Sequence, residues 1–384
     1  MPAGGNWKEM FHAAQDGDLE LVGYHLRMGV DPNYQHPEYF TSALIESIRL
    51  GRLPVTRFLL DHGADPSIPE GFSTDTPLRI ARTVDNPAAV RLLEWYLLPA
   101  DQRPAPRKVL LTGGNRGIGR AIAESLLVEQ HEVVLVVRRE SEAQACVEAL
   151  HQRTGNPHIH YLLADLSSIR QCRALVQSVR ETHPDIDTLI NNAGVWMSEK
   201  KLNEDGLEMT FMVNYLAPHL LCEGLWSLLR ERVGARIVNV NSALYRRGKL
   251  RADQTPYGRD FGSFHSYATS KLCNAMSTLD WAERLAETGV RVNAIHPGVI
   301  RTGLGDSDHW LSKLVKWSKR FWKAPTEGAR GPVRLATSPD LDELHGAYYD
   351  ELRPVGFHQR ARDAKAREAL RRETAAILQK ANPS

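Results

Sequence analysis

Residues 107–119 read RKVLLTGGNRGIG, an apolar run that leads directly into a glycine-rich turn. Residues 107–112 have the length and composition of a buried strand, and a helical pattern continues from the turn to Gln130. A glycine-rich turn of this kind lets backbone N–H groups and the helix N-terminus approach a pyrophosphate. The stretch therefore predicts a strand, a turn and a helix that bind a dinucleotide.

Strands and helical patterns continue to alternate after this stretch. The further predicted strands are, in chain order, Glu132–Val137, Ile159–Ala164, Thr188–Asn191, Ala235–Val240 and Val290–His296. Strands that are separated by helices are typical of a parallel sheet with helices on both faces. We therefore expect an α/β fold, a Rossmann-type doubly wound parallel sheet, over residues 107–384.

Several motifs follow the glycine turn in a recognisable order. The glycines at 113, 117 and 119 resemble the T-G-x-x-x-G-x-G turn of the short-chain dehydrogenase/reductase family. Its later elements are matched by NNAG at residues 191–194, Asn214, Ser242, YATSK at residues 267–271, and Pro297-Gly298 followed by Thr302. The 25-residue gap between Ser242 and Tyr267 resembles the family's retinol-dehydrogenase-like branch. The similarity covers the chain from about Arg107 to the C-terminus.

The resemblance implies a catalytic set of Asn214, Ser242, Tyr267 and Lys271. A tyrosine with its ordinary pKa of about 10 is a poor acid or base at neutral pH. Lys271 lies one helical turn after Tyr267, so its ammonium is expected to lower that pKa and also to bind the nicotinamide ribose. Tyr267 would then donate or accept the proton, Ser242 would hold the substrate oxygen, and Asn214 would order a water molecule that connects Lys271 to solvent.

Basic residues indicate which nicotinamide cofactor the chain uses. Arg138 and Arg139 follow the second strand, where an acidic residue would bind the ribose 2′-hydroxyl of NAD, and Arg116 lies inside the glycine turn. Guanidinium groups suit a 2′-phosphate, so NADP(H) is the expected cofactor. Asp165 and Leu166 would border the adenine. The complete predicted cofactor set is Gly113, Asn115, Arg116, Gly117, Ile118, Gly119, Arg138, Asp165, Leu166, Asn192, Ala193, Gly194, Tyr267, Lys271, Pro297, Gly298, Val299 and Thr302.

The residues after Asn214 depart from the family pattern. Ala217-Pro218 replaces the usual glycine-containing run. A proline inside a helix removes a backbone hydrogen bond and bends the axis, so a kink is expected just beyond Asn214.

The first hundred residues repeat with a period of 34. A shift of this length superimposes Gly17 on Gly51 and Gly29 on Gly63, and it places Asp31-Pro32 on Asp65-Pro66. A period in the low thirties indicates a solenoid of helix pairs. TPLRIA at residues 76–81 and LLDHGADP at residues 59–66 resemble the signatures of ankyrin repeats, and the third copy is degenerate. The resemblance implies an all-α ankyrin-repeat module, which would serve as a protein-binding surface or pack on its own chain.

Charge and proline content predict the domain bounds. Residues 1–104 hold 9 Lys and Arg against 14 Asp and Glu, a net charge of −5, whereas the remainder holds 39 against 32, a net charge of +7. The proline-punctuated segment at residues 99–106 indicates a stiff linker at this boundary. We expect an ankyrin domain at 1–98, the linker at 99–106 and the dehydrogenase domain at 107–384.

Two basic segments follow the last predicted strand. Aromatic and aliphatic residues at helical spacing face a run of lysine and arginine; they are Trp310, Leu311, Leu314, Trp317 and Phe321. A substrate lid over about 303–325 and a peripheral membrane helix both have this pattern, and its place just after Thr302 favours the lid. A closing helix is predicted over about 359–380, where the basic residues lack the aromatic residues of a nucleic-acid module.

Several other classes of protein are not indicated. No apolar run is long enough to span a membrane, and the N-terminus lacks a signal-peptide pattern, so a cytoplasmic protein is expected. The four cysteines lie far apart, which predicts buried free thiols, and no histidine or cysteine set suggests a metal site. No nucleic-acid partner is expected.

The preferred interpretation is an enzyme that transfers a hydride between NADP(H) and an apolar carbonyl or alcohol. Its expected partners are a lipophilic small molecule, a protein bound through the ankyrin repeats and a second copy of the chain, because helices around Asn214 and Tyr267 form dimer interfaces in many family members. The alternative is an ankyrin-based interaction protein whose dehydrogenase domain senses NADP(H) without turnover. The complete set of four catalytic residues favours the enzyme, because a sensor needs no acid–base group.

Overall fold

The computed structural model describes residues 6–299 and 324–381. The chain forms two compact units. The first comprises Met1–Pro106 together with Glu124–His131 and Cys146–Ile159, and the second comprises Arg107–Ala123, Glu132–Ala145 and His160–Ser384. The domain bounds given above stay a prediction.

Helices make up the N-terminal part of the first unit. Those described are α1 (Trp7–Asp16), α2 (Leu19–Arg27), α3 (Ala43–Arg49), α4 (Leu53–Asp61), α5 (Pro77–Thr83) and α6 (Pro87–Leu97). Side-chain oxygens cap several N-termini, and Ser42 and Thr76, which are 34 residues apart, cap α3 and α5 in the same way. The apolar faces enclose a core of their own that includes Phe11, Leu44 and Leu92.

Contacts between residues about one period apart connect successive helix pairs. The Asn33 side chain donates to the Gly63 carbonyl at 3.0 Å and accepts from the Asp65 N–H at 2.7 Å. The Gln35 side chain donates to the Pro69 carbonyl at 2.8 Å. These three contacts join the segment that follows the first helix pair to the segment that follows the second.

A parallel sheet organises the second unit, as predicted. Its described strands are β1 (Lys108–Thr112), β2 (Glu132–Val137), β3 (Ile159–Leu163), β4 (Thr188–Asn191), β5 (Arg236–Val240), β6 (Arg291–His296), β7 (Tyr348–Asp350) and β8 (Arg353–Val355). Their order is β3-β2-β1-β4-β5-β6-β7-β8. β1 lies parallel to β2 and β4, the pairing stays parallel through β5 and β6 to β7, and β8 is antiparallel to β7. The α/β Rossmann-type fold is confirmed, and the predicted strands are present within one residue of their expected bounds.

Helices alternate with these strands. They are α7 (Gly117–Val128), α8 (Glu140–Thr154), α9 (Ile169–Thr182), α10 (Met209–Phe211), α11 (Ala217–Leu229), α12 (Ser263–Leu285), α13 (Pro325–Thr337), α14 (Gln359–Arg362) and α15 (Ala364–Lys380). The last two cover the predicted closing helix, with Asp363 between them as the N-cap of α15. Arg367 on α15 forms ion pairs with Asp280 and Glu283 of α12, and Thr374 shares a 2.7 Å hydrogen bond with the Tyr215 hydroxyl.

The core of the second unit surrounds the middle of the sheet. Leu110, Leu189 and Ile237 lie fully buried on adjacent strands, and residues of α11 and α12 pack against them. All four cysteines are free and buried, as expected. Among the described residues, no helix is both long and apolar enough to cross a membrane.

Candidate active site

Most of the predicted site residues in the described part of the chain lie at the carboxyl ends of the parallel strands, and Asn214, Tyr267 and Lys271 lie in helical segments. β1 stands between β2 and β4, so the direction in which the chain adds strands reverses at β1 and β4. Ligands of open α/β sheets bind in the crevice at such a reversal. Gly113 follows β1 and Asn192 follows β4, which puts the glycine turn and the NNAG segment on the two sides of this crevice.

Close packing and backbone conformation exclude side chains at the glycine positions of the turn. Gly113 and Gly117 have φ values of +66° and +56°, in the left-handed region that favours glycine. A Cβ atom on Gly119 would lie 2.1 Å from the Gly113 carbonyl oxygen and 2.5 Å from Nδ2 of Asn192. The turn leads into the N-terminus of α7, where Ile118 lies in the first turn. This bare backbone at a helix N-terminus fits a dinucleotide pyrophosphate.

Side chains on both strands hold the crevice together. The Asn192 side chain donates to the carbonyls of Thr112 and Gly113 at 3.0 and 3.1 Å. The Thr112 hydroxyl accepts from the N–H groups of Asn192 and Ala193, each at 3.0 Å. Asn192 is therefore a brace between the ends of β1 and β4, and it holds the two walls of the crevice together.

The two arginines expected at the 2′-phosphate are both exposed. Arg116 lies in the glycine turn, and Arg138, 59% exposed, follows β2. Nη1 of Arg138 lies 4.0 Å from the carboxylate of Asp165, whereas Arg139 forms a closer 2.8 Å ion pair with Glu142. An exposed ion pair at such a distance contributes little to stability, so Arg138 can turn to a phosphate at small cost.

The remaining adenine-side residues are held by local hydrogen bonds. Asn115 donates to the Glu142 carboxylate at 2.9 Å. Asp165 accepts from the N–H and hydroxyl of Ser167, at 2.9 and 2.7 Å, and Leu166 is buried. These contacts fix the loop that follows β3.

The catalytic side chains of the prediction meet beside this crevice. Tyr267 and Lys271 lie one turn apart on α12, and Ser242 directly follows β5. All three are nearly buried, with exposed fractions of 6%, 5% and 8%. A Cβ atom on Gly194 would lie 3.7 Å from Nζ of Lys271, so the NNAG segment adjoins the catalytic helix.

Burial changes the acid–base properties of Tyr267 and Lys271. Burial raises the pKa of Tyr267 above its ordinary value, and a hydrogen bond with Ser242 partly opposes this effect. Burial lowers the pKa of Lys271 to about 8. The Lys271 ammonium donates to the Val240 carbonyl at 2.9 Å. The expected lowering of the tyrosine pKa by Lys271 is therefore not seen in this structure, because desolvation dominates at both groups.

Asn214 lies in a π-helical turn, Met212–Leu216, between α10 and α11. Its side chain accepts from the N–H of Val195 at 2.7 Å and donates to the carbonyl of Val195 at 2.9 Å and to the hydroxyl of Ser270 at 3.0 Å. The asparagine thus connects the segment after β4 to α12.

The π-helical turn shows how a proline is accommodated at position 218. Pro218 has no N–H to donate to the Asn214 carbonyl four residues earlier, and that carbonyl accepts from the Asn274 side chain at 3.2 Å. The helix irregularity falls at Asn214 itself, slightly before the position where a kink was expected.

Sequence reasoning missed two supporting amides, those of Asn241 and Asn274. The Asn241 side chain accepts from the Ser242 N–H at 2.6 Å and donates to the Lys271 carbonyl at 3.1 Å and to Asn274 at 2.9 Å. Asn241 directly precedes Ser242 in the sequence. Its role depends on α12 lying beside β5, which no local pattern shows.

The segment after β6 borders the site in part. Pro297 and Gly298 follow the strand end, Gly298 has a φ of +92°, and Val299 is 55% exposed. A Cβ atom on Gly298 would lie 2.8 Å from the Glu351 carboxylate, so this turn also requires glycine. Thr302, and the predicted lid up to residue 323, lie outside the described residues.

Comparisons with known proteins agree with this geometry. A family model described as short chain dehydrogenase matches residues 107–309. Human retinol dehydrogenase 14 is 34% identical over 283 residues, 69% of this chain and 84% of that protein. Human polyprenol dehydrogenase is 32% identical, over 66% of this chain and 80% of that protein. Among solved structures, a blue fluorescent protein from a metagenomic library, in complex with NADPH, matches with a TM-score of 0.52 and 25% identity, over 64% of this chain and 95% of that chain.

Proposed function

Because the chain belongs to the short-chain dehydrogenase family and is an enzyme of that family, we propose that it transfers a hydride between NADP(H) and a lipophilic carbonyl or alcohol. The single observation that carries this proposal is the burial of Tyr267, Ser242 and Lys271 together, next to the crevice between β1 and β4. Withdrawing three polar side chains from water costs folding free energy. Buried polar groups of this kind cluster at active sites, where chemistry requires them.

Two of these side chains, Tyr267 and Ser242, act on the substrate oxygen in carbonyl reduction. The nicotinamide, when bound, supplies the hydride. Tyr267 donates its proton to the substrate oxygen as negative charge develops there, and the Ser242 hydroxyl hydrogen-bonds the same oxygen. Because burial raises the pKa of Tyr267, the phenol keeps its proton at neutral pH. This protonation state suits reduction, whereas alcohol oxidation needs the deprotonated phenol and should increase at alkaline pH.

Two arginines support NADP(H) over NAD(H). The residue that follows β2 is Arg138, where an acid would favour the free ribose hydroxyl, and Arg116 is exposed in the glycine turn. A solved relative that is 25% identical binds NADPH. We propose that Arg116 and Arg138 bind the 2′-phosphate.

A lipophilic substrate is supported by two relatives and by exposed apolar residues. The relatives are named for retinol and polyprenol, both long isoprenoid alcohols. Phe264, three residues before Tyr267, is 48% exposed, and Val299 after β6 is 55% exposed. Apolar side chains beside a buried acid–base group suit an apolar carbonyl and poorly suit a sugar. The proposed lid at 303–325 would add to this surface.

We further propose that the N-terminal helices are an ankyrin-repeat module that binds a protein. The matching caps at Ser42 and Thr76 and the contact from Gln35 to Pro69 support a structural repeat of 34 residues. A cytoplasmic location, a homo-oligomer and at most peripheral membrane contact are further proposals from the sequence.

The test measures turnover by the full chain. Purified protein is given NADPH or NADH with retinal and with aliphatic aldehydes of increasing length, and loss of reduced-cofactor absorbance is followed. We expect NADPH to be preferred, kcat/KM to rise with chain length, and the reverse oxidation to increase with pH. Equal use of NADH would contradict the cofactor assignment, and absence of turnover with every aldehyde would contradict the substrate class.

Variants separate chemistry from folding in this test. Tyr267→Phe should lose at least about a hundredfold in kcat, the usual size of an acid–base contribution, while still binding NADPH. Tyr161→Phe, on β3, is the matched control and should keep normal turnover. Arg138→Asp should shift preference toward NADH. Retained activity in Tyr267→Phe would overturn the role of that tyrosine.

A further inference from the structure

The indole of Trp196 lies flat on the phenol ring of Tyr267. The ring centroids are 4.4 Å apart and the ring planes differ by 8°. Trp196 comes two residues after the NNAG motif and is partly buried. The phenol that carries the proposed proton is therefore covered on one face by a residue from a different segment of the chain.

One hydrogen bond holds the edge of this indole, and a second holds its acceptor, Ser263. Its Nε1–H donates to the Ser263 hydroxyl at 3.0 Å, and that hydroxyl donates to the Met197 carbonyl at 2.8 Å. Ser263 precedes Tyr267 by four residues, so both project from one face of α12. Trp196 thus contacts the catalytic helix twice, once through its N–H and once through its ring face.

The backbone just before Trp196 is fixed as well. Asn214 binds both the N–H and the carbonyl of Val195, at 2.7 and 2.9 Å. The same asparagine bonds to Ser270, which donates to the Tyr267 carbonyl at 2.8 Å. The Asn214 side chain is therefore bonded directly to the backbone of Val195 and, through Ser270, to the backbone of Tyr267. The stacked indole of Trp196 is a further contact between the same two segments.

We infer that Trp196 is a positioning residue, which holds the phenol of Tyr267 in the plane from which its hydroxyl reaches the substrate oxygen. This inference rests on the proposed function. A phenol ring without a flat neighbour can rotate about its side-chain torsions, and the proton would then be presented correctly for less of the time. Small misplacements of a reacting group lower the rate steeply, while binding of a cofactor elsewhere is little affected.

The experiment compares substitutions of Trp196 by pre-steady-state and steady-state kinetics with NADPH and one long aliphatic aldehyde. Trp196→Leu keeps an apolar side chain but removes the flat ring, and we expect kcat to fall about tenfold or more with KM and the NADPH Kd within twofold of wild type. Trp196→Phe restores a stacking ring and should recover most of kcat. Trp196→Ala should behave like the leucine variant.

Trp226→Ala is the matched control. Trp226 is a partly buried tryptophan on α11 that packs on the core and contacts Arg230 and Arg284. Its removal should leave kcat unchanged even if it lowers thermal stability. A normal kcat in Trp196→Leu, or a raised KM with a normal kcat, would overturn the positioning role. Failure of the proposed function is distinguishable, because wild type itself would then show no NADPH-dependent turnover.

Discussion

Lys271 combines a proposed role in activity with a cost in stability. Its side chain is 5% exposed, and its ammonium has the Val240 carbonyl as a hydrogen-bond acceptor. Burial lowers its pKa to about 8 from the ordinary 10.5. A difference of this size means that the charged lysine costs the folded state about 3 kcal/mol at neutral pH.

Replacing Lys271 by methionine is expected to abolish turnover and to stabilise the protein. At pH 7 the free energy of unfolding should rise by about 2 kcal/mol, the removed cost less one lost hydrogen bond. Because the pKa of Lys271 is lowered in the folded state, the unfolded state binds more protons between pH 8 and 10.5. Wild type should therefore gain stability across that window, and the difference should shrink. Urea denaturation at several pH values measures this.

Lys249→Met is the control for this prediction. Lys249 is exposed, so its substitution should change the free energy of unfolding by less than about 0.5 kcal/mol. If Lys271→Met were less stable than wild type at pH 7, the hydrogen bond to Val240 would outweigh the cost of burying the charge.

The start of α7 shows why one turn of a helix tolerates only glycine. A methyl group on Gly119 would overlap the Gly113 carbonyl and the Asn192 amide. Asn192 also braces β1 against β4, so a shift at Gly119 would spread to both walls of the crevice.

Gly119→Ala is therefore expected to weaken NADPH binding at least about tenfold, equal to about 1.4 kcal/mol. In an unconstrained helix the same substitution would stabilise by up to about 1 kcal/mol. Titration of NADPH fluorescence measures the affinity. Ala121→Gly, which removes a methyl group from the same helix, should cost about 1 kcal/mol of stability and leave the affinity unchanged. Normal binding by Gly119→Ala would show that the turn adjusts freely.

A buried arginine connects three segments of the first compact unit. Arg57 on α4 is 3% exposed, and its guanidinium donates to the carbonyls of Leu127, Val128 and Thr154 at 2.7, 3.1 and 2.7 Å. These carbonyls lie in the last turns of α7 and α8, where helices lack internal donors. Burial lowers the pKa of Arg57, so the charge is retained at a cost.

Arg57→Met is expected to destabilise the full-length chain by about 3 kcal/mol or more, since it removes the guanidinium donor from the buried carbonyls of Val128 and Thr154, whereas the Leu127 carbonyl keeps the Asn156 side chain as a donor. Thermal denaturation followed by circular dichroism measures the effect. Arg82→Met is the control, because Arg82 is 61% exposed and pairs with the exposed Glu94. It should change stability by less than about 1 kcal/mol. Similar melting of the two variants would show that water replaces the guanidinium at these carbonyls.

Local patterns sufficed for most of the sheet. β1 to β6 are short, mostly apolar segments bounded by turns, so their bounds followed from the residues themselves. β7 and β8 were missed because each has three residues, too few for a period to be recognised. The 34-residue repeat was also visible in the sequence, because its copies show the same spacing of glycine and apolar residues.

The α/β fold, the dinucleotide turn and the candidate residues Asn214, Ser242, Tyr267 and Lys271 could be read from the amino-acid sequence, because glycine spacing, apolar periodicity and motif order are local properties of the chain. The surroundings of these side chains became known from the folded structure. Burial raises the pKa of Tyr267 instead of lowering it, and the indole of Trp196 covers its ring. Both effects arise where separate segments of the chain meet and exclude water. Burial and stacking depend on those neighbours, and no spacing along the chain specifies them.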